Sequence, residues 1–245
     1  MKWDILKCAR GVAVVLVLLA VAARASFAAT VTNLNAGDSI NLSTIVSQGL
    51  QVQIGDKLFG DFQFSYSDNN GNTNDDIRAQ QINLTALTND IGFGIRITNA
   101  WRASGSTAED TIFAYSVTVL APGYSISDAH MTYNGVSTGN SFSAVTEQFF
   151  TGGFGAGLVG TMEVHNDSGT DVKQQDSIVF SPTFTKLYIE KDIHLEGAGL
   201  DQPGNATISI IDQTFSQIPE PSTFALTLGA LAGLACCRRR TVAKL

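Results

Sequence analysis

Between Ser67 and Asp76 the chain carries side-chain oxygens at alternate positions: Asp68, Asn70, Asn72, Asn74 and Asp76. Oxygen donors at that spacing suit a hard cation such as calcium. Two departures from the twelve-residue calcium loop weaken the match. Glycine falls at Gly71 rather than at Thr73, and the twelfth position is Ala79 rather than a glutamate. A solvated turn between strands is therefore favoured over a calcium site, which stays a candidate.

A second run, residues 151–160, contains a literal G-x-G-x-x-G at Gly155, Gly157 and Gly160. A dinucleotide site needs that turn between a strand and a helix. Here Thr161-Met162-Glu163-Val164 follows and reads as a strand, so the run is a bulged β segment and no nucleotide cofactor is expected. His130, His165 and His194 lack the short spacing of metal ligands. No serine or cysteine is assigned as a nucleophile. The carboxylate pairs Asp75-Asp76 and Glu109-Asp110 fall in polar turn stretches, whereas a glycosidase pair comes from positions facing one cleft. No catalytic residue is assigned, and the chain reads as a non-enzyme. Trp101, Tyr124, Tyr133, Phe142, Phe149 and Phe150 would stack on sugars only if the fold exposed them; packing is the default for aromatic side chains.

The elements around these residues are strands. Leu50, Val52 and Ile54 alternate with glutamines. Leu58, Phe62, Phe64 and Tyr66 alternate with Asp61, Gln63 and Ser65; Ile91, Phe93, Ile95 and Ile97 share one parity, as do Phe113, Tyr115, Val117 and Val119, and Ile208 with Ile210. A period of two buries one face and wets the other, as in antiparallel sheets. Turn clusters such as Asn69-Asn70-Gly71, Ala121-Pro122-Gly123 and Asn134-Gly135 punctuate the runs. No helical stripe of useful length and no internal repeat appears between the two ends. About ten short strands predict an all-β antiparallel β-sandwich of jelly-roll type.

The two ends differ in composition from this body. Lys2, Lys7 and Arg10 precede an apolar stretch over residues 11–23, and Ser26-Phe27-Ala28 supplies small residues at −3 and −1. That order predicts a secretory signal peptide, residues 1–28, cleaved after Ala28. The body, residues 29–217, contains no cysteine and keeps 20 of the 22 acidic residues but only 7 of the 15 basic ones, a formal charge of −13. So acidic a surface repels nucleic acid, which is excluded as a partner. Without disulfides, the exported domain must be held by packing.

Residues 218–245 form the third unit. Pro219-Glu220-Pro221 comes first, then an uncharged run ending at Cys237, then Arg238, Arg239 and Arg240. The prolines predict a stiff, exposed, strand-like piece. The apolar run is a short membrane helix, and the arginines are a cytoplasmic stop by the positive-inside rule. Within the run, Ala225, Gly229, Gly233 and Cys237 recur every four residues, a seam of small residues suited to close helix approach.

The segment from Ile218 to Arg240 resembles the PEP-CTERM sorting signal of Gram-negative bacteria: a Pro-Glu-Pro motif, a hydrophobic helix and a basic cluster. The resemblance implies export, a transient stay at the inner membrane, processing by the membrane enzyme exosortase, and a final place at the cell surface or in the extracellular matrix. It further implies a structural or interaction role linked to exopolysaccharide. A carbohydrate-binding module is the alternative, and a secreted hydrolase a more distant one.

Overall fold

The computed structural model describes residues 29–69, 71, 75–199 and 204–220. The signal segment with its cleavage position Ala28, Pro221, the apolar run with its small-residue seam, and Arg238 to Arg240 lie outside the described residues.

In chain order, β1 (Val31–Asn33), β2 (Ser39–Asn41), α1 (Leu42–Gln48), β3 (Gln51–Ile54) and β4 (Lys57–Asp68) come first. Then follow α2 (Asp75–Ala79), β5 (Asn83–Thr88), β6 (Phe93–Ser104), β7 (Ala108–Val119) and β8 (Tyr124–Tyr133). The rest is β9 (Val136–Ser137), β10 (Phe142–Phe150), β11 (Leu158–Asp167), β12 (Asp171–Lys173), β13 (Gln175–Phe184), β14 (Lys186–Glu196) and β15 (Asn205–Pro219).

The larger sheet runs β1-β3-β4-β7-β14-β10-β11-β12 and the smaller β13-β8-β15-β6-β5-β2, with β9 paired to β15. Eight of these strands define the topology: β6, β7, β8, β10, β11, β13, β14 and β15. The first, eighth, third and sixth of them lie side by side in the smaller sheet, and the second, seventh, fourth and fifth in the larger. That nesting of two Greek keys is the jelly roll expected from the sequence. The pairing of β1 with β3 is parallel, while the ladders joining the eight strands are antiparallel.

Several strands are longer than the sequence pattern suggested, and two bulges change their parity. In β4 the register with β7 shifts between Gly60 and Gln63, and Asp61 takes a positive φ of 54°. One extra residue in a strand turns the following side chains to the other face. Phe59 is therefore buried before the bulge, while Phe62, Phe64 and Tyr66 turn to the core side after it, and Leu58 does not share their face. Likewise, the β15–β6 register shifts where Ile208 and Ile210 face Trp101 and Thr98, the extra residue lying on β6; Ile208 and Ile211 are buried and Ile210 is half-buried. Helix α1 also escaped the sequence pattern: seven residues are too few to show a period. Its ends are nonetheless well specified, with Asn41 Oδ1 accepting from the Ser43 N–H at the N-cap and Gly49 left-handed at the C-cap.

The core lies between the sheets. Phe59 packs its ring on Tyr115 at 6.0 Å in the same sheet and on Phe215 at 6.2 Å in the facing one. Trp101 is buried with its indole N–H donating to Thr111 Oγ1 at 3.2 Å. Because Phe59 joins both layers, Phe59→Ala is expected to cost about 3–5 kcal/mol of unfolding free energy. Urea unfolding measures this; a loss under 1 kcal/mol would mean that the layers do not close on this ring.

Candidate functional site

Along β14, Leu187, Ile189, Lys191, Ile193 and Leu195 point inward and are fully buried. Lys186, Tyr188, Glu190, Asp192 and His194 therefore face out, at the middle of the larger sheet. Their cross-strand neighbours are Ser116 and Phe150 beside Tyr188, Ala114 and Gln148 beside Glu190, and Asp110 and Ala144 beside His194. The result is a broad face of carboxylates, amides and hydroxyls with an aromatic corner.

At that corner Phe154 meets Tyr188 edge-on at 5.3 Å, and Lys186 Nζ sits 4.4 Å above the Tyr188 ring. Phe154 reaches this position from the glycine-rich run. Thr151 N–H donates to Gly157 O and Gly152 N–H to Ala156 O, and Gly153, Gly155 and Gly157 take positive φ. The run is thus a tight hairpin loop between β10 and β11, and a strand rather than a helix follows it. Asp61, turned outward by the bulge, accepts from Lys186 Nζ at 2.9 Å and from Ser116 Oγ at 2.8 Å. Partial burial pushes the Asp61 carboxyl up, but these two hydrogen bonds and the lysine charge outweigh it and hold the group below its ordinary value. At the other end, partial burial and the charge of Asp110 push Asp192 up, against the pull of His194. His194 Nδ1 lies 2.5 Å from Asp110 Oδ1.

The aromatics singled out in the sequence are spent on packing. Trp101, Tyr133, Phe149 and Phe150 are buried, and Phe142 stands against His194 at 6.0 Å. Tyr124 alone of the six is exposed, at 38 %. Tyr188, at the aromatic corner of the polar face, lay outside that set. Its outward parity against Leu187 and Ile189 was the available signal.

Of the calcium candidates, Asn70, Asn72, Asn74 and the side chain of Asp76 lie outside the described residues. Asp68 ends β4, with Tyr66 Oη 3.5 Å from its Oδ2. Arg78 Nη2 donates to the same Tyr66 Oη at 2.9 Å, and Asp75 Oδ1 accepts the Tyr66 N–H at 2.7 Å. Among the described residues no group of three potential ligands converges on a metal position.

The three histidines stay apart, each beside its own carboxylate: His130 with Asp128, His165 with Glu163 and Asp171, His194 with Asp110. Ser177 stands opposite His130 in the β13–β8 ladder, lining a shallow cleft of about 330 Å³. No hydrogen bond joins its hydroxyl to the imidazole among the described residues, so Ser177, His130 and Asp128 do not form a triad. Gly135-Val136-Ser137-Thr138-Gly139 spells G-x-S-x-G, a match the sequence reading passed over. The structure shows no nucleophile there: Ser137 is buried on β9 and its hydroxyl bonds Ser143 Oγ at 3.1 Å.

The sorting motif begins inside the fold. Strand β15 continues beyond residue 217 to Pro219, with Ile218 opposite Ser125 and Pro219 opposite Tyr124. The β6 ladder has already ended at Phe215, so proline enters where one side of the strand is free, as its missing donor requires. Glu220 N–H then donates to Gly123 O at 2.8 Å, and Ser125 Oγ donates to Glu220 Oε1 at 3.0 Å. The exposed strand-like piece expected at Ile218 to Pro221 is strand-like, but its described part is paired to β8.

No family model matches the chain, and no curated protein matches it either. Among solved structures it is similar to the enzymatically active domain of bacteriophage CBA120 tailspike protein 4, at 10 % identity and TM-score 0.28. That match covers 63 % of this chain and 19 % of the other, so the chain spans about a fifth of that domain. It is also similar to CsCBM6-3 from Clostridium stercorarium, solved with cellobiose, at 16 % identity and TM-score 0.24, covering 76 % and 97 %. A third is the family 11 carbohydrate-binding module of Clostridium thermocellum, at 10 % identity and TM-score 0.19, covering 67 % and 89 %. Likenesses this slight carry nothing about ligands. The class rests on the strand order: an acidic jelly-roll sandwich without cysteine in its body.

The Asp61–Lys186 pair is open to a direct test. Asp61 contributes stability above its ordinary value of about 4 and loses it as pH falls through its lowered folded value. In Lys186→Ala the Asp61 carboxyl, followed by NMR, is expected to titrate closer to that ordinary value, and the acid-side stability change to shrink. An unmoved titration would show that the pair is not formed in solution.

Proposed function

We propose that this protein is an exported cell-surface or matrix protein, structural or interactive rather than catalytic, whose body engages a polysaccharide. The observation that carries this reading is the outer face of the larger sheet. Sugar hydroxyls need donors and acceptors in rows, and Gln148, Glu190 and Asp192 supply them on adjacent strands. The Tyr188–Phe154 corner supplies the apolar surface against which a pyranose ring packs. The face is an open sheet rather than a cleft that brackets a scissile bond, which supports binding over hydrolysis. The acidic body favours a neutral polymer, or an anionic one bridged by divalent cations.

Sorting through Pro219-Glu220-Pro221 by exosortase completes the proposal and rests on the resemblance of the tail. The pinning of Pro219 and Glu220 to β8 adds a physical consequence. The sandwich is hydrogen-bonded as far as Glu220, so the body would be held close to the membrane surface until release.

Two experiments address the two halves. In affinity gels, migration is expected to slow in a neutral glucan, and Tyr188→Ala with Phe154→Ala should weaken that retardation several-fold. Equal migration with and without glucan, and with a uronic acid polymer plus calcium, would overturn the polysaccharide reading. Replacing Pro219, Glu220 and Pro221 by alanine should leave export intact but keep the body in the inner-membrane fraction with its tail attached. Normal release of that variant would overturn the sorting reading.

A further inference from the structure

Four large polar side chains occupy inward rows that are mostly apolar: Tyr115 on β7, Glu147 on β10, Lys191 on β14 and Gln213 on β15. Each is 0 % exposed. Glu147 and Lys191 are opposite residues in the β10–β14 ladder, while Gln213 comes from the facing sheet with Met131 beside it. Lys191 Nζ lies 2.9 Å from Glu147 Oε1 and 2.7 Å from Gln213 Oε1, with Met131 Sδ at 3.6 Å. Yet Gln213 Nε2, Tyr115 Oη and both Glu147 oxygens lack an aligned hydrogen-bond partner. Buried polar groups are ordinarily satisfied, and a buried ion pair is generally no more stabilising than apolar residues of the same volume. A buried polar cluster in which Lys191 Nζ is shared between a carboxylate and an amide calls for another account.

We propose that Lys191 and Gln213 become joined by an intramolecular amide bond between the two sheets, with Glu147 as the catalytic acid–base. The amide carbon is one bond beyond the oxygen that Lys191 already contacts, so nucleophile and electrophile are neighbours. Lys191 Nζ, as the neutral amine, adds to Gln213 Cδ; a C–N bond forms and the carbonyl π pair moves onto Oε1. Glu147, entering as the acid beside Nζ, supplies the proton with which Nε2 leaves and takes up the one that Nζ loses. The tetrahedral centre then collapses, the Cδ–Nε2 bond breaks, and ammonia leaves. An amine and a primary amide yield a secondary amide and ammonia, with no oxidant, reductant or second molecule.

The surroundings favour each step. Burial pushes the Lys191 ammonium down, and Glu147 opposes this only in part. Burial likewise pushes the Glu147 carboxyl up against the pull of Lys191. Both shifts run toward amine and acid, the forms the reaction uses, and a desolvated lysine is an activated nucleophile. Tyr115, whose phenol burial pushes well above its ordinary value, lies in the same buried cluster. The bond would replace an unsatisfied Nε2 with a neutral amide. It would also give a body without cysteine a covalent staple from β14 to β15, the strand that leads into residues 218–245.

Intact mass spectrometry of the purified full chain under denaturing conditions tests this, with peptide mapping to fix the N-terminus. The wild type should fall short of its sequence mass by one ammonia, and digestion should yield a branched peptide joining the β14 and β15 segments. Lys191→Met and Gln213→Leu should each show the full mass, as should Glu147→Gln, which keeps both bonding partners. A wild type at full mass with separate linear peptides would overturn the proposal, and needs no variant to fold. Ammonia loss persisting in Glu147→Gln would overturn the role of Glu147.

Discussion

A lysine and a glutamate cut off from water lie where the two sheets meet, and the sandwich has to be built closely around them. Such a pair is worth little as a net contribution but is unforgiving when separated, because either charge left alone would be buried without compensation. This fixes register. Glu147 faces Lys191 across the β10–β14 ladder. A one-residue slip of either strand would send its member of the pair to the outer face and leave the other stranded inside. Gln213, arriving from the opposite sheet, extends the same constraint across the core and sets how β15 lies over β14. The apolar rows around the cluster would tolerate several alignments; the polar residues select one.

Most of the architecture was legible because the strands are half-buried. Phe113, Tyr115, Val117 and Val119 could be assigned to one buried face from parity alone, and they are buried. Parity failed where the backbone inserted a residue. Nothing in Leu58 or Ile210 announces the bulges that displace them, since a bulge is a property of the pairing between two strands. The buried cluster was legible and went unread. Lys191 stands at the centre of Leu187, Ile189, Ile193 and Leu195, and Gln213 between Ile211 and Phe215, so both occupy inward positions in plain alternation. The outer face was less accessible to sequence. Asp61 meets Lys186, and Phe154 meets Tyr188, only after the glycine loop and the β4 bulge are folded.

The tail boundary shows the same limit in another form. Composition changes at residue 218, but hydrogen bonding does not. Gln217 accepts from Lys57 Nζ at 2.6 Å through its Oε1 and donates its amide to Asp56, and the ladder with β8 runs on to Pro219. A strand ends where its partners end. The first two residues of the Pro-Glu-Pro motif therefore belong mechanically to the sandwich, whatever the rest of the segment does.

Charge pairing decides what the surface offers to a polymer. Of the seven basic side chains in the body, six lie against carboxylates: Lys57 with Asp56, Arg78 with Glu109, Arg96 with Asp212, Lys173 with Asp176, Lys186 with Asp61 and Lys191 with Glu147. Lys57 and Lys191 are, in addition, buried. The cations are thus committed to the protein's own acids, and the excess of carboxylates is left facing solvent. An anionic polysaccharide would meet repulsion that salt screens only in part at contact distance. A neutral chain meets none, because its hydroxyls can donate to the same carboxylates that repel an anion. The charge pattern expected to repel nucleic acid is therefore compatible with the proposed engagement of an uncharged sugar at the outer face of the larger sheet.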